Sequence, residues 1–111
     1  MGEKATDPDG ALRELVRRIR RAVRPEKIIL FGSRATGRAR ADSDFDLLVI
    51  KRSRRPRHER SRRIYAAIAD VPAEAEVIVY TPKEVREWRD VPESLVATAL
   101  RDGKVLYEKQ G

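Results

Sequence analysis

Two carboxylates alternate at the start of an apolar segment near the middle of the chain. Asp44 and Asp46 belong to residues 44–50, a run that predicts a central strand with apolar side chains on both faces beyond the acids. Residues two apart in a strand project to the same side roughly 6–7 Å apart, so the two carboxylates are expected side by side. Such like charges repel, and Mg²⁺ suits them because it binds one or two carboxylates together with substrate phosphates. The pair therefore predicts a magnesium site.

A Gly-Ser pair upstream predicts a phosphate-binding turn. Residues 27–31 form a short apolar run after Pro25, which predicts a buried strand, and Gly32 and Ser33 end that strand. The pair would bring backbone N–H groups and a hydroxyl to the start of a short helical turn, where an anion is favoured. Taken alone, however, a Gly-Ser pair more often serves only as a structural turn.

A third acid occupies the corresponding early position of another predicted strand. Glu76 lies near the start of residues 75–80, and it would join the two aspartates if this strand neighbours residues 44–50. Glu74, two residues earlier on the same face, is the alternative third acid. Carboxylates that hold a metal opposite a backbone cradle for phosphate are the arrangement that phosphoryl or nucleotidyl transfer requires.

Together these motifs resemble a known family. The Gly-Ser pair, ten intervening residues and then Asp-Phe-Asp look like the Gly-Ser-x10-Asp-x-Asp signature of the DNA polymerase β-type nucleotidyltransferase superfamily. The longer run Gly-Ser-Arg-Ala-Thr-Gly followed by Asp-Ser-Asp-Phe-Asp-Leu resembles the minimal nucleotidyltransferases, or MNT proteins, which are antitoxin partners of HEPN-domain toxins. Val-Ile-Val-Tyr-Thr-Pro-Lys-Glu and Gly-Lys-Val-Leu-Tyr-Glu are also similar to that group, so the resemblance covers residues 11–108.

The resemblance implies a role for each matching residue. Asp44 and Asp46 match the pair that binds two Mg²⁺ ions, and Gly32 and Ser33 match the turn that holds the nucleoside triphosphate. Glu76 matches the third acid, which in the family orients or deprotonates the attacking hydroxyl and completes the metal site. The family more often has Asp at that position.

Arg34 is assigned to the nucleotide-binding set as well, because it lies in the loop that would approach the triphosphate. A solvated surface role for it and for Arg38 is equally compatible with a chain so rich in arginine.

The resemblance implies that the protein transfers a nucleoside monophosphate to a hydroxyl in an Mg²⁺-dependent reaction. ATP is the expected donor, and AMP is the group transferred. The acceptor would be a tyrosine of a HEPN-type toxin, which makes the protein an antitoxin. Two alternatives stay open: a binding module that neutralises its partner by contact without catalysis, and a basic protein that binds nucleic acid. A chain of this length is expected to have no room for a separate acceptor-recognition domain, so a protein partner or a homo-oligomer would supply that recognition.

The predicted fold is a small α/β domain of the polymerase β-like nucleotidyltransferase type, with three core strands and one edge strand in a mixed sheet flanked by helices. Residues 1–8 are expected to be a flexible leader, residues 9–108 a single domain, and residues 109–111 a tail. The remaining predicted elements are helices and an edge strand: a helix at 9–24 capped by Asp9, a helix from 64 to about 70, a helix after the Thr81 cap, a helix from Pro92 or Glu93 to Gly103, and an edge strand at 104–107.

Composition narrows the classes of function. Lys and Arg number 25 against 18 Asp and Glu, a net charge of +7 that favours anionic partners. The chain has no cysteine, which excludes disulfides, zinc–thiolate sites and thiol catalysis. The first residues are polar and no apolar run approaches about 18 residues, so we expect a cytoplasmic protein without membrane contact.

Two basic segments have an ordinary and a functional interpretation. One is the basic run 51–63, expected to be a loop, and the other is the polar face of the first predicted helix, which carries Arg13, Arg17, Arg18, Arg20, Arg21 and Arg24. A solvated surface is the more common role of such charge. Contact with nucleic acid or with an acidic partner is the functional alternative.

Overall fold

Four strands and six helices follow one another in the computed structural model, which describes residues 8–40 and 44–110. Their order is α1 (Pro8–Val23), β1 (Lys27–Phe31), α2 (Ser33–Thr36), β2 (Phe45–Ile50), α3 (Arg57–Arg60), α4 (Arg62–Ile68), β3 (Ala75–Tyr80), α5 (Pro82–Trp88), α6 (Leu95–Asp102) and β4 (Lys104–Glu108). The predicted leader, except for its last residue, and the final residue of the predicted tail lie outside the described residues. Of the helices in these two ranges, none has the length and apolar character needed to cross a bilayer.

The strands form one mixed sheet in the order β3-β2-β1-β4. β1 runs antiparallel to both β2 and β4, and β2 runs parallel to β3. The expected fold class, a mixed sheet with an edge strand after the last helix and helices around it, is thereby confirmed. The antiparallel β1–β2 pair and the parallel β2–β3 pair bring the end of β1 and the starts of β2 and β3 to one end of the sheet.

The central strand β2 is covered on both faces, as its sequence predicted. Leu47 and Val49 belong to an apolar cluster with residues of α1 and α4, whereas Leu48 and Ile50 belong to a second cluster with residues of α6. Successive side chains of a strand point to opposite faces, so four consecutive buried residues require cover on both sides. The side chain of Asp46 shares the face of Leu48 and Ile50.

The outer edge of β3 is capped by side chains from α3 and α4. The Val77 N–H donates to the Tyr65 hydroxyl at 2.7 Å, and the Arg60 guanidinium donates to the Val79 carbonyl at 3.2 Å. Outward-pointing backbone groups on an edge strand otherwise invite pairing with another chain. Tyr65 and Arg60 therefore protect this edge against aggregation.

Replacing Tyr65 with phenylalanine is expected to lower the free energy of unfolding by about 1 kcal/mol and to promote self-association, because the Val77 N–H loses its acceptor. Urea unfolding and sedimentation velocity would measure the two effects. Tyr80→Phe is the control, since the Tyr80 hydroxyl has no hydrogen-bond partner among residues 8–40 and 44–110. Equal behaviour of the two variants would show that Tyr65 does not protect the edge.

Several helix boundaries differ from the sequence-based expectation. α1 begins at Pro8, so Asp9 lies in the first turn and is not the N-cap residue. In that position its negative charge stabilises the helix by interacting with the positive end of the helix dipole. The basic run 51–63, expected to be a loop, contains α3 and the start of α4. The predicted helix start at Pro92 or Glu93 is wrong, because the Ser94 hydroxyl accepts from the Ala97 N–H at 3.0 Å and caps α6.

The cap of α5 agrees with its prediction. The Thr81 hydroxyl accepts from the Glu84 N–H at 3.1 Å, and the Glu84 carboxylate accepts from the Thr81 N–H at 2.9 Å. This reciprocal pair is a capping box, with Pro82 at the first helical position.

The end of α1 has an unusual backbone conformation. Arg24 has a φ of 49°, in the left-handed region, and its N–H donates to the Arg20 carbonyl at 3.0 Å. Glycine is the usual residue at such a helix end, and a residue with a side chain costs about 1–2 kcal/mol more. Pro25 follows and cannot continue the helix. The chain thus keeps an arginine at a position where glycine would be more stable.

Candidate active site

The turn after β1 is built on a glycine conformation. Gly32 has φ 76° and ψ −157°, a region that residues with a side chain essentially do not occupy. Its carbonyl accepts from the Ala35 N–H at 3.1 Å, which starts the single turn of α2. Gly37 ends that turn in the left-handed conformation, its N–H donating to the Ser33 carbonyl. One helical turn followed by a loop was the expectation, and the described residues up to 40 agree with it.

The side chain of Asp46 occupies the space that a Gly32 side chain would need. The two strands pair so that Phe31, the last residue of β1, lies opposite Asp46 on β2. A Cβ atom added to Gly32 would overlap a carboxylate oxygen of Asp46 and lie 3.1 Å from its Cγ. The glycine turn and the second aspartate of the motif are therefore in direct contact, although 13 residues separate them in the sequence.

Glu76 lies beside Asp46 on the neighbouring strand. The parallel register of β2 and β3 pairs the two residues directly. The hypothesis of a site with three acids required that these two strands be neighbours, and they are. Asp44 lies two residues before Asp46 and is exposed, as is Glu76. Glu74, the alternative third acid, is exposed and precedes β3, and its carbonyl accepts from the Phe45 N–H at 2.9 Å.

The electrostatics of Asp46 reflect this crowding. Partial burial raises the pKa of its carboxyl above the usual range, and the nearby Glu76 and Asp44 carboxylates raise it further. Both causes disfavour the charged form of Asp46. A cation or a proton at this position would relieve the repulsion.

The carboxylates fit a hard divalent cation, although not as a complete protein cage. Within residues 8–40 and 44–110, no three acidic or histidine side chains come close enough together to hold a metal ion. Mg²⁺ does not require three, since it commonly uses one or two carboxylates and completes its shell with waters and substrate phosphates. Asp46, with Asp44 or Glu76 beside it, suits that mode, and the lack of a side chain at Gly32 lets the Asp46 carboxylate lie against the turn.

Arg34 has a contact that the sequence did not indicate. Its guanidinium lies over the ring of Phe45, 4.3 Å from the ring centroid. Because successive residues of β2 point to opposite faces, Phe45 projects away from the face of Asp46. The structure thus brings Gly32, Ser33 and Asp46 together, while Arg34 stacks on the far side of β2. No spacing rule in the sequence links Arg34 to Phe45.

Arg38, in the loop after α2, interacts electrostatically with the end of α6. The Arg101 guanidinium holds the pKa of the Asp102 carboxyl below its usual range, and Arg38 adds to this effect. Arg38 is therefore close to the end of α6, on the side of the sheet that also carries Asp46.

Comparisons with known proteins identify the family and the fold of the chain. The sequence model of the family described as polymerase beta, nucleotidyltransferase matches residues 13–111. A candidate nucleotidyltransferase from Sulfolobus solfataricus has a similar structure, with a TM-score of 0.63, 19% identity, and coverage of 89% of this chain and 78% of that one. A toxin–antitoxin crystallised with AMP-PNP gives a TM-score of 0.61 at 19% identity, covering 88% of this chain and 73% of that one.

At that level of identity, the two structures establish a shared fold. The search of curated proteins gave no significant match. The family assignment rests on the sequence model, which spans nearly the whole chain and includes the Gly-Ser turn and all three acids. On this ground the chain belongs to the polymerase β nucleotidyltransferase family.

Proposed function

We propose that this protein is a Mg²⁺-dependent nucleotidyltransferase that transfers a nucleoside monophosphate, AMP from ATP, to a hydroxyl group. The observation that carries the proposal is the contact between Gly32 and the Asp46 carboxylate, with Glu76 paired directly to Asp46 across the strands. A carboxylate crowded by other acids, beside a glycine turn that opens a helix, is suited to a metal–triphosphate complex.

In the proposed reaction the acceptor oxygen bonds to the α-phosphorus, the bond from that phosphorus to the β-phosphate oxygen breaks, and pyrophosphate leaves. Glu76 takes the proton of the acceptor hydroxyl, while Gly32 and Ser33 hold the triphosphate through backbone N–H groups. Asp44 and Asp46 would hold two Mg²⁺ ions, which when bound neutralise the phosphate charge and stabilise the attacking and leaving oxygens. Asp46 must be ionised for this, and its raised pKa predicts that activity falls as the pH is lowered toward that pKa.

The proposed biological role is that of an antitoxin acting on a tyrosine of a HEPN-type toxin. Support comes from family membership and from the similar fold of a toxin–antitoxin crystallised with the ATP analogue AMP-PNP. A binding module that neutralises the toxin by contact is the second candidate. It is favoured by the lack of a three-acid cluster among the described residues.

The deciding experiment incubates the purified protein with α-labelled ATP, Mg²⁺ and the product of an adjacent gene. Label is expected on that partner. The variant Asp46→Asn is expected to lower transfer at least about 100-fold, because it loses a metal ligand. It should keep the fold, because the substitution relieves the repulsion between neighbouring carboxylates. Glu76→Gln and Glu74→Gln form a matched pair at neighbouring positions of one face. Only the first should slow transfer strongly.

Two results would contradict the proposal. Transfer at the wild-type rate by Asp46→Asn would place the chemistry elsewhere. Full neutralisation of the toxin by Asp46→Asn, with no label on the partner in the wild type, would establish the binding module instead.

A further inference from the structure

A basic groove lies at the opposite end of β1 from the candidate active site. It has a volume of about 560 Å³ and is lined by Arg17, Arg20, Arg21, Arg24, Tyr107 and Lys109, with no acid in its walls. Arg24 precedes β1 and Gly32 follows it, so about 13 Å of strand separates the two sites. We call this cavity the basic groove.

Of the four arginines that line the basic groove, Arg17 binds Glu14 at 2.6 Å, whereas the other three are not neutralised by a carboxylate of residues 8–40 and 44–110. Among the described residues, no carboxylate lies within salt-bridge distance of Arg20, Arg21 or Arg24. Arg18, on the same helix, contrasts with them because it binds Glu14 at 2.7 Å and also Asp70. Adjacent like charges without partners raise the local positive potential, which attracts anions.

Two further features distinguish the arginines of the groove, one in a side chain and one in the backbone. Arg20 lies over the ring of Tyr107, 4.2 Å from its centroid, which orients the group and leaves its N–H edges available to an anion. Arg24 has the left-handed conformation described above, in which glycine would be more stable. Strained residues of this kind cluster at functional sites, and here the strained residue lines the groove.

The shape of the surface favours a strand over a small anion or a duplex. Arg13, Arg17, Arg20 and Arg24 follow one another at helical spacing along α1 and the residue after it, and the row is about 16 Å long, longer than a single phosphate needs. The wall of the groove also carries the stacked Arg20–Tyr107 pair, and planar guanidinium or aromatic groups are platforms for the unstacked bases of a single strand. We propose that the basic groove and this arginine row bind single-stranded nucleic acid through its phosphates. Nothing in this proposal depends on nucleotidyl transfer.

The test measures binding of labelled oligothymidylate, about 12 nucleotides long, to the full chain by fluorescence anisotropy at several salt concentrations. The variant Arg20→Gln/Arg21→Gln/Arg24→Gln is expected to weaken binding at least tenfold at low salt. Every phosphate of a single strand that the protein neutralises adds about 0.7 to the steepness of log K against log salt, so removing three arginines should reduce that steepness by about 2. The wild type should therefore lose roughly 20-fold more affinity than the variant between about 50 and 200 mM salt.

The matched control removes the same amount of charge from α5 and its C-terminal end, in the variant Lys83→Gln/Arg86→Gln/Arg89→Gln. Its affinity should stay within about twofold of the wild type. Arg24→Gly separates binding from folding: it should weaken binding without lowering the melting temperature, because glycine prefers the left-handed conformation.

Three outcomes would overturn the proposal. An equal loss of affinity in the control variant would mean that net charge alone drives binding. Tighter binding of a duplex of the same length would identify a double-stranded ligand. Displacement of the oligonucleotide by polyglutamate at matched charge concentration would identify an acidic protein surface as the ligand.

Discussion

Replacing Gly32 with alanine is expected to destabilise the protein by about 2–4 kcal/mol and to lower nucleotidyl transfer about 1,000-fold or more. The same change at Gly37 should cost about 1 kcal/mol and leave transfer nearly unchanged. The two glycines have almost the same φ, 76° and 79°, but their ψ angles differ. Gly32, with a ψ of −157°, lies in a region nearly confined to glycine, whereas Gly37, with a ψ of 11°, is left-handed, a conformation that alanine enters at a cost of about 1–2 kcal/mol.

The surroundings of the two glycines differ as well. A Cβ at Gly32 would overlap the Asp46 carboxylate, whereas a Cβ at Gly37 would have no atom within 4 Å. The added methyl group must push Asp46 aside, since the alternative is to shift the end of β1. Either movement separates the carboxylate from the turn that holds the triphosphate, so one methyl group disturbs both halves of the proposed site.

Urea unfolding would give the free energies, and the α-labelled ATP assay would give the rates at a temperature where both variants are folded. A transfer rate for Gly32→Ala within tenfold of that for Gly37→Ala would show that the close approach of Gly32 to Asp46 is not needed for the reaction. Equal free energies of unfolding of the two variants would show that neither the backbone conformation of Gly32 nor the position of Asp46 resists the added methyl group.

The Gly32–Ser33 turn and the Asp44–Asp46 pair were predictable from local sequence, because strand alternation and glycine turns depend on residues that are close together in the chain. Apolar residues before Gly32 and after Asp46 predicted β1 and β2, and these strands lie where expected, β2 starting one residue later. The pairing of Asp46 with Glu76 could be stated only as a condition, since it depends on which strands are neighbours. Sheet order is a tertiary property, and periodicity does not encode it.

Contacts made by long cationic side chains were not predictable. Arg34 on Phe45, and Arg20 on Tyr107, join residues that no spacing rule connects. The chain has so many arginines that each looked like part of a solvated surface. Only the structure shows which arginines stack on an aromatic ring, which pair with a carboxylate and which line the basic groove.

The contacts of Arg60 were likewise not predictable from the sequence, and its substitution is expected to have a large effect on stability. Substituting Arg60 with glutamine should lower the free energy of unfolding by about 2–4 kcal/mol at neutral pH. The Arg60 side chain is only 9% exposed and binds both carboxylate oxygens of Glu84, at 2.6 and 3.1 Å. It also donates to the backbone carbonyls of Val79 and Arg55, so its removal leaves three acceptor groups without this donor.

Arg101→Gln is the matched control for this substitution. Arg101 pairs with Asp102 at 3.0 Å, but the two side chains are 63% and 43% exposed. Ion pairs that are open to water contribute little, so this variant should lose less than about 0.5 kcal/mol. Arg60→Lys should not restore stability, because lysine cannot bind both carboxylate oxygens in a fork while reaching the Val79 carbonyl.

The pH dependence of stability gives an independent signature of the Arg60–Glu84 pair. The hydrogen bonds from Arg60 lower the pKa of Glu84 from 4.5 to about 2. A carboxyl whose pKa is lowered by folding stabilises the protein above its unfolded pKa, and this contribution disappears as the pH falls through the folded pKa. The wild type should therefore lose on the order of 1–2 kcal/mol from this group between about pH 4.5 and 2, and Arg60→Gln should lose little of it.

Other acids titrate in the same window, but they do so in both proteins and cancel in the comparison. Glu14, whose pKa the Arg17 and Arg18 hydrogen bonds also lower to about 2, is the main one. The difference in unfolding free energy between wild type and Arg60→Gln should thus be largest above pH 4.5 and shrink toward pH 2. A difference that stays constant over this range would mean that Arg60 stabilises the fold through Val79 and Arg55 alone, and that Glu84 contributes only the cap of α5.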